Sequence, residues 1–138
     1  MTQGSSRAFV LLENGDIEVL TVSYSPLLSI SFPITIHYAH AADIVADDQR
    51  VYAAYLDEDP YYYGGAYINS YLDVYDDTSG TPVRVRSVAP LTDQYGYDRL
   101  AKTGNVVWGG FHELDSSIFG IDGFNVSNPA SPVRTGAA

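Results

Sequence analysis

The chain has 138 residues, a formal net charge of −10 and no cysteine, with 46% hydrophobic and 13% aromatic residues. This length suits one domain, and the composition excludes an intrinsically disordered chain. The missing cysteines exclude disulfides, thiolate metal sites and a cysteine nucleophile. The acidic balance disfavours nucleic acid as a partner, and no apolar run reaches the roughly 20 residues that membrane insertion of a helix requires.

Short β-strands are predicted along the whole chain. Apolar residues alternate with polar ones or form short runs, and Gly, Pro, Asn and Asp interrupt them about every ten residues. The predicted strands, in chain order, cover residues 8–12, 17–22, 34–37, 43–46, 51–55, 71–75, 83–88, 99–102, 106–111, 118–121 and 124–126. Asn14-Gly15 predicts a tight hairpin between the first two, because both residues accept positive φ.

The chain also repeats itself. Residues 43–55 (DIVADDQRVYAAY) align without a gap over residues 99–111 (RLAKTGNVVWGGF). Residues 71–85 align over residues 121–135, which places the Pro-Val-Arg of residues 82–84 over that of residues 132–134. A partial earlier copy is visible in residues 7–12, 16–22 and 33–37. Each unit therefore carries about four short strands.

Four-stranded units repeated at this period are typical of β-propeller blades. A β-sandwich would accommodate the same strands, but it has no reason to repeat its sequence. We predict an all-β fold of antiparallel four-stranded propeller blades, about two and a half to three of them. The partial blade covers about residues 7–32, and the blades cover about residues 33–81 and 82–138. Closed propellers have four to eight blades, so this ring is incomplete unless copies assemble or the chain belongs to a longer protein.

Residues 119–136 (FGIDGFNVSNPASPVRTG) resemble the LVIVD repeat. The positions that match its pattern are Gly120, Ile121, Val126, Ser127, Pro129, Ala130 and Pro132. Asn125 and Asn128 stand where that pattern has aspartates, and Gly123 departs from an apolar position. Residues 93–110 are also similar to secreted bacterial propellers with WD40-like blades. The resemblance implies an extracellular or cell-surface β-propeller, and we expect any export signal to lie outside this sequence, because its first residues lack an apolar core.

The stretch LDEDPYYYGGAY, residues 56–67, is the candidate site. It connects the strands predicted at residues 51–55 and 71–75, and it is longer than the corresponding connection, residues 112–120. Tyrosines in such loops offer large amphipathic surfaces, and loops on a rigid scaffold are where binding usually resides. The alternative is that these tyrosines cover the blade edge or a contact between blades. The candidate ligand or partner contacts are Tyr61, Tyr62, Tyr63, Tyr67, Asp57 and Asp59.

Metal and catalytic motifs are sparse in this sequence. The acids of residues 57–59 offer the oxygens that Ca²⁺ prefers, but they lack the spacing of a calcium loop. His37, His40 and Asp43 would share a face only on a helix, so we predict ordinary loop histidines. No nucleophile elbow, phosphate loop or dinucleotide motif occurs. We therefore predict no cofactor and no catalytic residue. Ca²⁺ and a hydrolase using rim carboxylates remain the alternatives.

The sequence thus predicts a non-enzymatic interaction or scaffold module. Its expected partners are another protein or copies of itself, with neither nucleic acid nor membrane insertion. The alternative is a carbohydrate-binding module that contacts a glycan through the tyrosine-rich loop. Trp108 aligns with Tyr52 inside an apolar alternation, which predicts core packing rather than ligand stacking.

Overall fold

A computed structural model describes residues 4–24, 28–36, 41–47, 49–58, 67–79, 81–88, 95–113 and 119–137. Within these ranges the chain forms eleven β-strands and no helix, as the all-β prediction requires. The strands are β1 Gly4–Leu11, β2 Ile17–Tyr24, β3 Leu28–Ile36, β4 Ala41–Asp47, β5 Arg50–Glu58, β6 Tyr67–Asp76, β7 Val83–Val88, β8 Tyr95–Thr103, β9 Val106–Glu113, β10 Phe119–Asn125 and β11 Val133–Ala137.

The strands form three antiparallel sheets in which each strand pairs with its neighbours in the sequence. The first sheet is β1–β2–β3, the second is β4–β5–β6–β7, and the third is β8–β9–β10–β11. The predicted hairpin joins β1 to β2: Gly15 has φ of 83°, and the side-chain oxygen of Asn14 accepts a hydrogen bond from the Asp16 amide at 3.1 Å. The described part of the chain does not close a ring.

Several strands are longer than predicted, β3 above all, which begins at Leu28 rather than at residue 34, and the last two strands are placed differently as well. The segments predicted separately at residues 118–121 and 124–126 are one strand, β10, and β11 was not predicted. Gly123 reads as a break in the sequence, but here it pairs with Trp108, and the indole lies over it. A Cβ at Gly123 would lie 2.7 Å from a ring carbon of Trp108. The glycine therefore makes room for a neighbouring ring within a continuous strand.

The second sheet lies between the other two. On β5, Val51 and Ala53 belong to an apolar cluster with Ile17 of the first sheet. The alternate residues, Tyr52 and Ala54, belong to a second cluster, whose third-sheet members are Tyr97, Val107, Phe124 and Val126. Because successive residues of a strand point to opposite faces, both faces of the second sheet are buried. The sheets are therefore stacked in chain order, and β8 of the third contacts β4, β5 and β6 of the second.

The second and third sheets have matching strand registers. Tyr52 pairs with Val74 in the second sheet, and Trp108 pairs with Gly123 in the third. Both sheets have one irregularity between their first two strands and one between their last two. These lie at Ala41/Asp43 and Val74/Tyr75 in the second sheet, and at Tyr97/Arg99 and Gly123/Phe124 in the third. The shared bulges give a residue-by-residue correspondence between the two sheets.

The sheet boundaries are displaced by one strand from the boundaries of the sequence units. The units begin near residues 33 and 82, whereas β3 and β7 are the last strands of the first and second sheets. The first and second sheets thus each combine the greater part of one sequence unit with the first strand of the next, whereas the third sheet lies within the last unit.

Candidate functional site

Two of the six predicted contact residues, Asp57 and Tyr67, lie within the described ranges, at one end of the second sheet. Tyr61, Tyr62, Tyr63 and Asp59 lie outside the described residues. Asp57 lies on β5 and pairs with Asn69, while Tyr67 lies on β6 and pairs with Glu58. The structure therefore brings the backbones of Asp57 and Tyr67 to the same end of one hairpin, where residues 59–66 connect the two strands.

The described ranges contain neither a candidate metal site nor a membrane-spanning helix. These contain no group of three or more His, Cys, Asp or Glu residues placed to hold a metal ion. They contain no helix of the length and apolar character needed to span a membrane.

A buried polar cluster occupies the third sheet. The Tyr97 hydroxyl donates a hydrogen bond to a carboxylate oxygen of Asp122 at 2.5 Å, and the Arg134 guanidinium donates to the same oxygen at 2.5 Å. Arg134 also donates to the Tyr97 hydroxyl at 3.3 Å. Tyr97 is fully buried and Asp122 is 4% exposed. One carboxylate therefore links side chains from β8, β10 and β11.

Phe124 completes this cluster from β10. The Tyr97 ring meets it edge-on, with ring centroids 5.8 Å apart and planes at 87°. The guanidinium carbon of Arg134 lies 5.5 Å from the Phe124 ring centroid, which is cation–π distance. The arginine thus neutralises a buried carboxylate and covers an aromatic ring at once.

Burial raises the pKa of Tyr97 well above its ordinary value, and the hydrogen bond donated to Asp122 raises this pKa further. The phenol therefore stays protonated and acts as a donor at neutral pH. Because its carboxylate acceptor is already paired with Arg134 and lies below the surface, the arrangement stabilises the sheet rather than offering a base to a substrate.

Replacing Tyr97 with phenylalanine is expected to cost about 2 kcal/mol at neutral pH, because a buried carboxylate loses a hydrogen bond. Above the ordinary tyrosine pKa of 10.0, the unfolded phenol loses its proton while the folded one keeps it. Wild-type stability conferred by Tyr97 then falls with rising pH, by up to about 1.4 kcal/mol per pH unit. Urea unfolding of the wild type and of Tyr97→Phe across the alkaline range should show that the difference between their free energies of unfolding shrinks above pH 10.0. A constant difference would contradict the assignment.

The second sheet contains a corresponding ion pair. Arg84 on β7 lies 3.3 Å from a carboxylate oxygen of Asp73 on β6, and Asp73 is 1% exposed. The registers place Asp73 at the position of Asp122, because they pair with Ala53 and Gly109 respectively. The sequence alignment puts Asp73 over Gly123 instead. The structural correspondence differs from it by one residue on this strand.

Polar side chains also connect neighbouring sheets. Arg7 on β1 forms an ion pair with Asp77, which follows β6, at 3.0 Å, and it donates to the Thr21 hydroxyl at 2.5 Å. Burial raises the pKa of Asp77 more than the nearby Arg7 lowers it, and Asp76 raises it further. The first and second sheets are thus joined by a pair whose acid is 5% exposed.

Polar side chains of β4 also contact β8 and so connect the second sheet to the third. A carboxylate oxygen of Asp43 on β4 accepts the Leu100 amide of β8 at 2.8 Å, and its other oxygen accepts the Ile44 amide at 2.9 Å. Lys102 of β8 forms an ion pair with Asp47 at 3.3 Å, and its ammonium lies 5.9 Å from the centroid of the Tyr52 ring. These contacts fix β4 against β8.

The outer face of the third sheet, which points away from the second, carries large apolar side chains. Trp108 on β9 is 39% exposed, and Ile121 and Phe119 on β10 are 49% and 76% exposed. The registers place all three on one face. The prediction that Trp108 lies in the core is therefore wrong. Its alternation is that of a core position, but no sheet of the described chain covers this face.

The buried cluster of Tyr97, Asp122 and Arg134 was not predicted from the sequence. One signal for it was present: the repeated Pro-Val-Arg of residues 82–84 and 132–134 contains the arginine of each ion pair. Comparisons with protein-family models, with curated proteins and with solved structures found no match to this chain.

Proposed function

We propose that this chain is a non-enzymatic interaction module of the β-propeller type, from an extracellular or cell-surface protein. Its sheets are blades that form a ring by assembly of copies or join one within a larger protein. The stacking of three antiparallel sheets in chain order, with the middle sheet buried on both faces, carries this proposal. Stacked meanders of this kind are what adjacent blades require.

The correspondence between the second and third sheets supports reading them as repeats. They have the same strand order and the same two bulge positions, and each contains a buried aspartate paired with an arginine of its last strand. A backbone hydrogen bond also recurs. The amide of Asp77 donates to the carbonyl of Gln49 at 2.7 Å, and the amide of Val126 donates to the carbonyl of Asn105 at 2.8 Å. The LVIVD-like residues 119–136 span β10 and β11 and support the extracellular assignment.

An experimental structure of the purified protein tests the propeller architecture. We expect the sheets to radiate from one axis, with the first strands of the second and third sheets, β4 and β8, nearest to it. Packing of the sheets as the two layers of a sandwich would contradict the proposal.

The tyrosine-rich connection of residues 59–66 is the proposed partner contact, because it links the paired ends of β5 and β6 and loops on a rigid scaffold are where binding usually resides. Changing Tyr61, Tyr62 and Tyr63 together to serine is expected to lower binding to a protein partner at least tenfold. The matched control changes residues 115–117 of the corresponding third-sheet connection to alanine. Parallel screens on immobilised extracellular proteins and on a glycan array measure the effect. Equal loss in both variants would contradict a role for the tyrosines.

The carbohydrate-binding alternative is favoured by the same composition, since aromatic rings beside carboxylates suit sugar faces and hydroxyls. It predicts hits on the glycan array that the triple serine variant loses. Hits confined to the protein screen would exclude it.

A further inference from the structure

The correspondence between the sheets shows what the outer face of the third sheet lacks. Trp108 occupies the position of Tyr52, and Ile121 occupies that of Leu72. Tyr52 and Leu72 are fully buried, with 0% of their surface exposed, because the third sheet covers them. The same positions one sheet later are 39% and 49% exposed. The outer face of the third sheet therefore carries large apolar side chains at the same positions as the covered face of the second sheet.

Val83 is an exposed apolar residue on a covered face. It lies at the edge of the second sheet on β7 and is 54% exposed, although the third sheet covers that face. Val133, its counterpart on β11, is 59% exposed. Val83 and Val133 are thus exposed in both sheets, whereas Trp108 and Ile121 are exposed at positions that are fully buried in the second sheet.

The first sheet has an apolar outer face of its own. Val10 is 40% exposed, and the register places it on the same face as Ala8 and Leu20, opposite to the side that packs on the second sheet. The charges on the two outer faces are also complementary. Glu18 pairs with Val10 on the first sheet, and Arg99 pairs with Gly110 on the third.

We propose that the outer face of the third sheet binds the outer face of the first sheet of a second copy of this chain. The inference rests on the proposed propeller architecture and names its partner surface. Two copies contribute six sheets, three from each, which lies within the four to eight blades of closed propellers. Three copies would give nine. The contact is made twice around a two-fold axis and closes the ring.

Burial of apolar side chains drives this contact, since Trp108, Ile121 and Phe119 would leave water together. Each copy carries a formal charge of −10, so repulsion between copies opposes it. Added salt screens that repulsion and strengthens apolar association. Self-association is therefore expected to increase with ionic strength.

The first experiment measures mass and tryptophan emission. Wild-type protein should have twice the 15.0 kDa mass of one chain by light scattering. Trp108 is the only tryptophan, so its emission should shift to the blue as concentration rises. Ile121→Arg should abolish both effects and leave the far-ultraviolet circular dichroism unchanged. Val83→Arg, at a similarly exposed apolar residue, should leave assembly intact. A wild-type monomer at every concentration and salt would overturn the proposal, and so would equal loss in the two variants.

The second experiment tests the orientation of the contact by mixing. Val10→Arg blocks the first-sheet face, and Ile121→Arg blocks the third-sheet face. Each variant alone should be monomeric, and an equimolar mixture should form a one-to-one complex through the one intact pair of faces. A Val10→Arg protein that still dimerises would show contact between two third-sheet faces and overturn the proposal.

These outcomes separate the inference from the proposed function. A monomer whose experimental structure keeps the three stacked sheets would overturn the second-copy assignment alone, and the propeller would then be completed within a longer chain. Sheets arranged as a sandwich would overturn the architecture itself, whatever the mass.

Discussion

Replacing Arg134 with methionine is expected to lower the free energy of unfolding by about 3–5 kcal/mol, because the change leaves a buried carboxylate without its cation. Asp122 is 4% exposed and receives the Arg134 guanidinium at 2.5 Å. Methionine retains much of the side-chain length over Phe124, so the loss reports on charge more than on packing. Urea unfolding is measured in the Ile121→Arg background, in which the proposed contact between copies is blocked.

Asp122→Asn provides the control for this prediction. In the Asp122→Asn background the cation has no carboxylate to neutralise. Arg134→Met should therefore lower the free energy of unfolding by at least about 1 kcal/mol less there than in the protein that keeps Asp122, a coupling typical of contacting residues. Equal costs in the two backgrounds would show that Arg134 acts through packing alone.

Replacing Phe124 with alanine is expected to lower the free energy of unfolding by about 3–5 kcal/mol, the usual effect of removing a buried phenylalanine ring. The ring is 1% exposed, meets Tyr97 edge-on and lies beneath Arg134. Its loss would leave a cavity between the second and third sheets and remove a contact of the buried ion pair.

Phe119→Ala is the matched control, because it removes the same side chain from the same strand at a site that is 76% exposed. In the Ile121→Arg background its cost should stay within about 0.5 kcal/mol. Similar costs for the two alanine variants would contradict the assignment of Phe124 to the core. Thermal and urea unfolding both serve as measurements.

The strands were predictable because their signal is local. Alternation between apolar and polar residues marks β5 and β9, and Asn14-Gly15 marks the first hairpin. The exception is β10, where Gly123 interrupts the apolar pattern for the sake of a ring on the neighbouring strand. The residue that requires this glycine, Trp108, lies on another strand, so the residues next to Gly123 in the sequence do not indicate it.

The buried cluster was not predictable because it depends on register. An alignment that keeps residues 71–85 and 121–135 in step hides the match between Asp73 and Asp122. In the structure the extra residue falls in the turn before β11. The prediction for Trp108 was wrong for a different reason. The alternation around it indicates the face on which it lies, but not whether another sheet covers that face.

Asp43 has a consequence for how this chain can associate. Its carboxylate takes the amides of Ile44 and Leu100, which lie on β4 and β8, the edge strands of the second and third sheets. Edge amides left open are templates on which another polypeptide adds as a further strand, and uncontrolled addition leads to fibrous aggregates. By occupying one donor on each edge, a single aspartate disfavours hydrogen-bonded growth there and leaves association to the broad faces of the sheets.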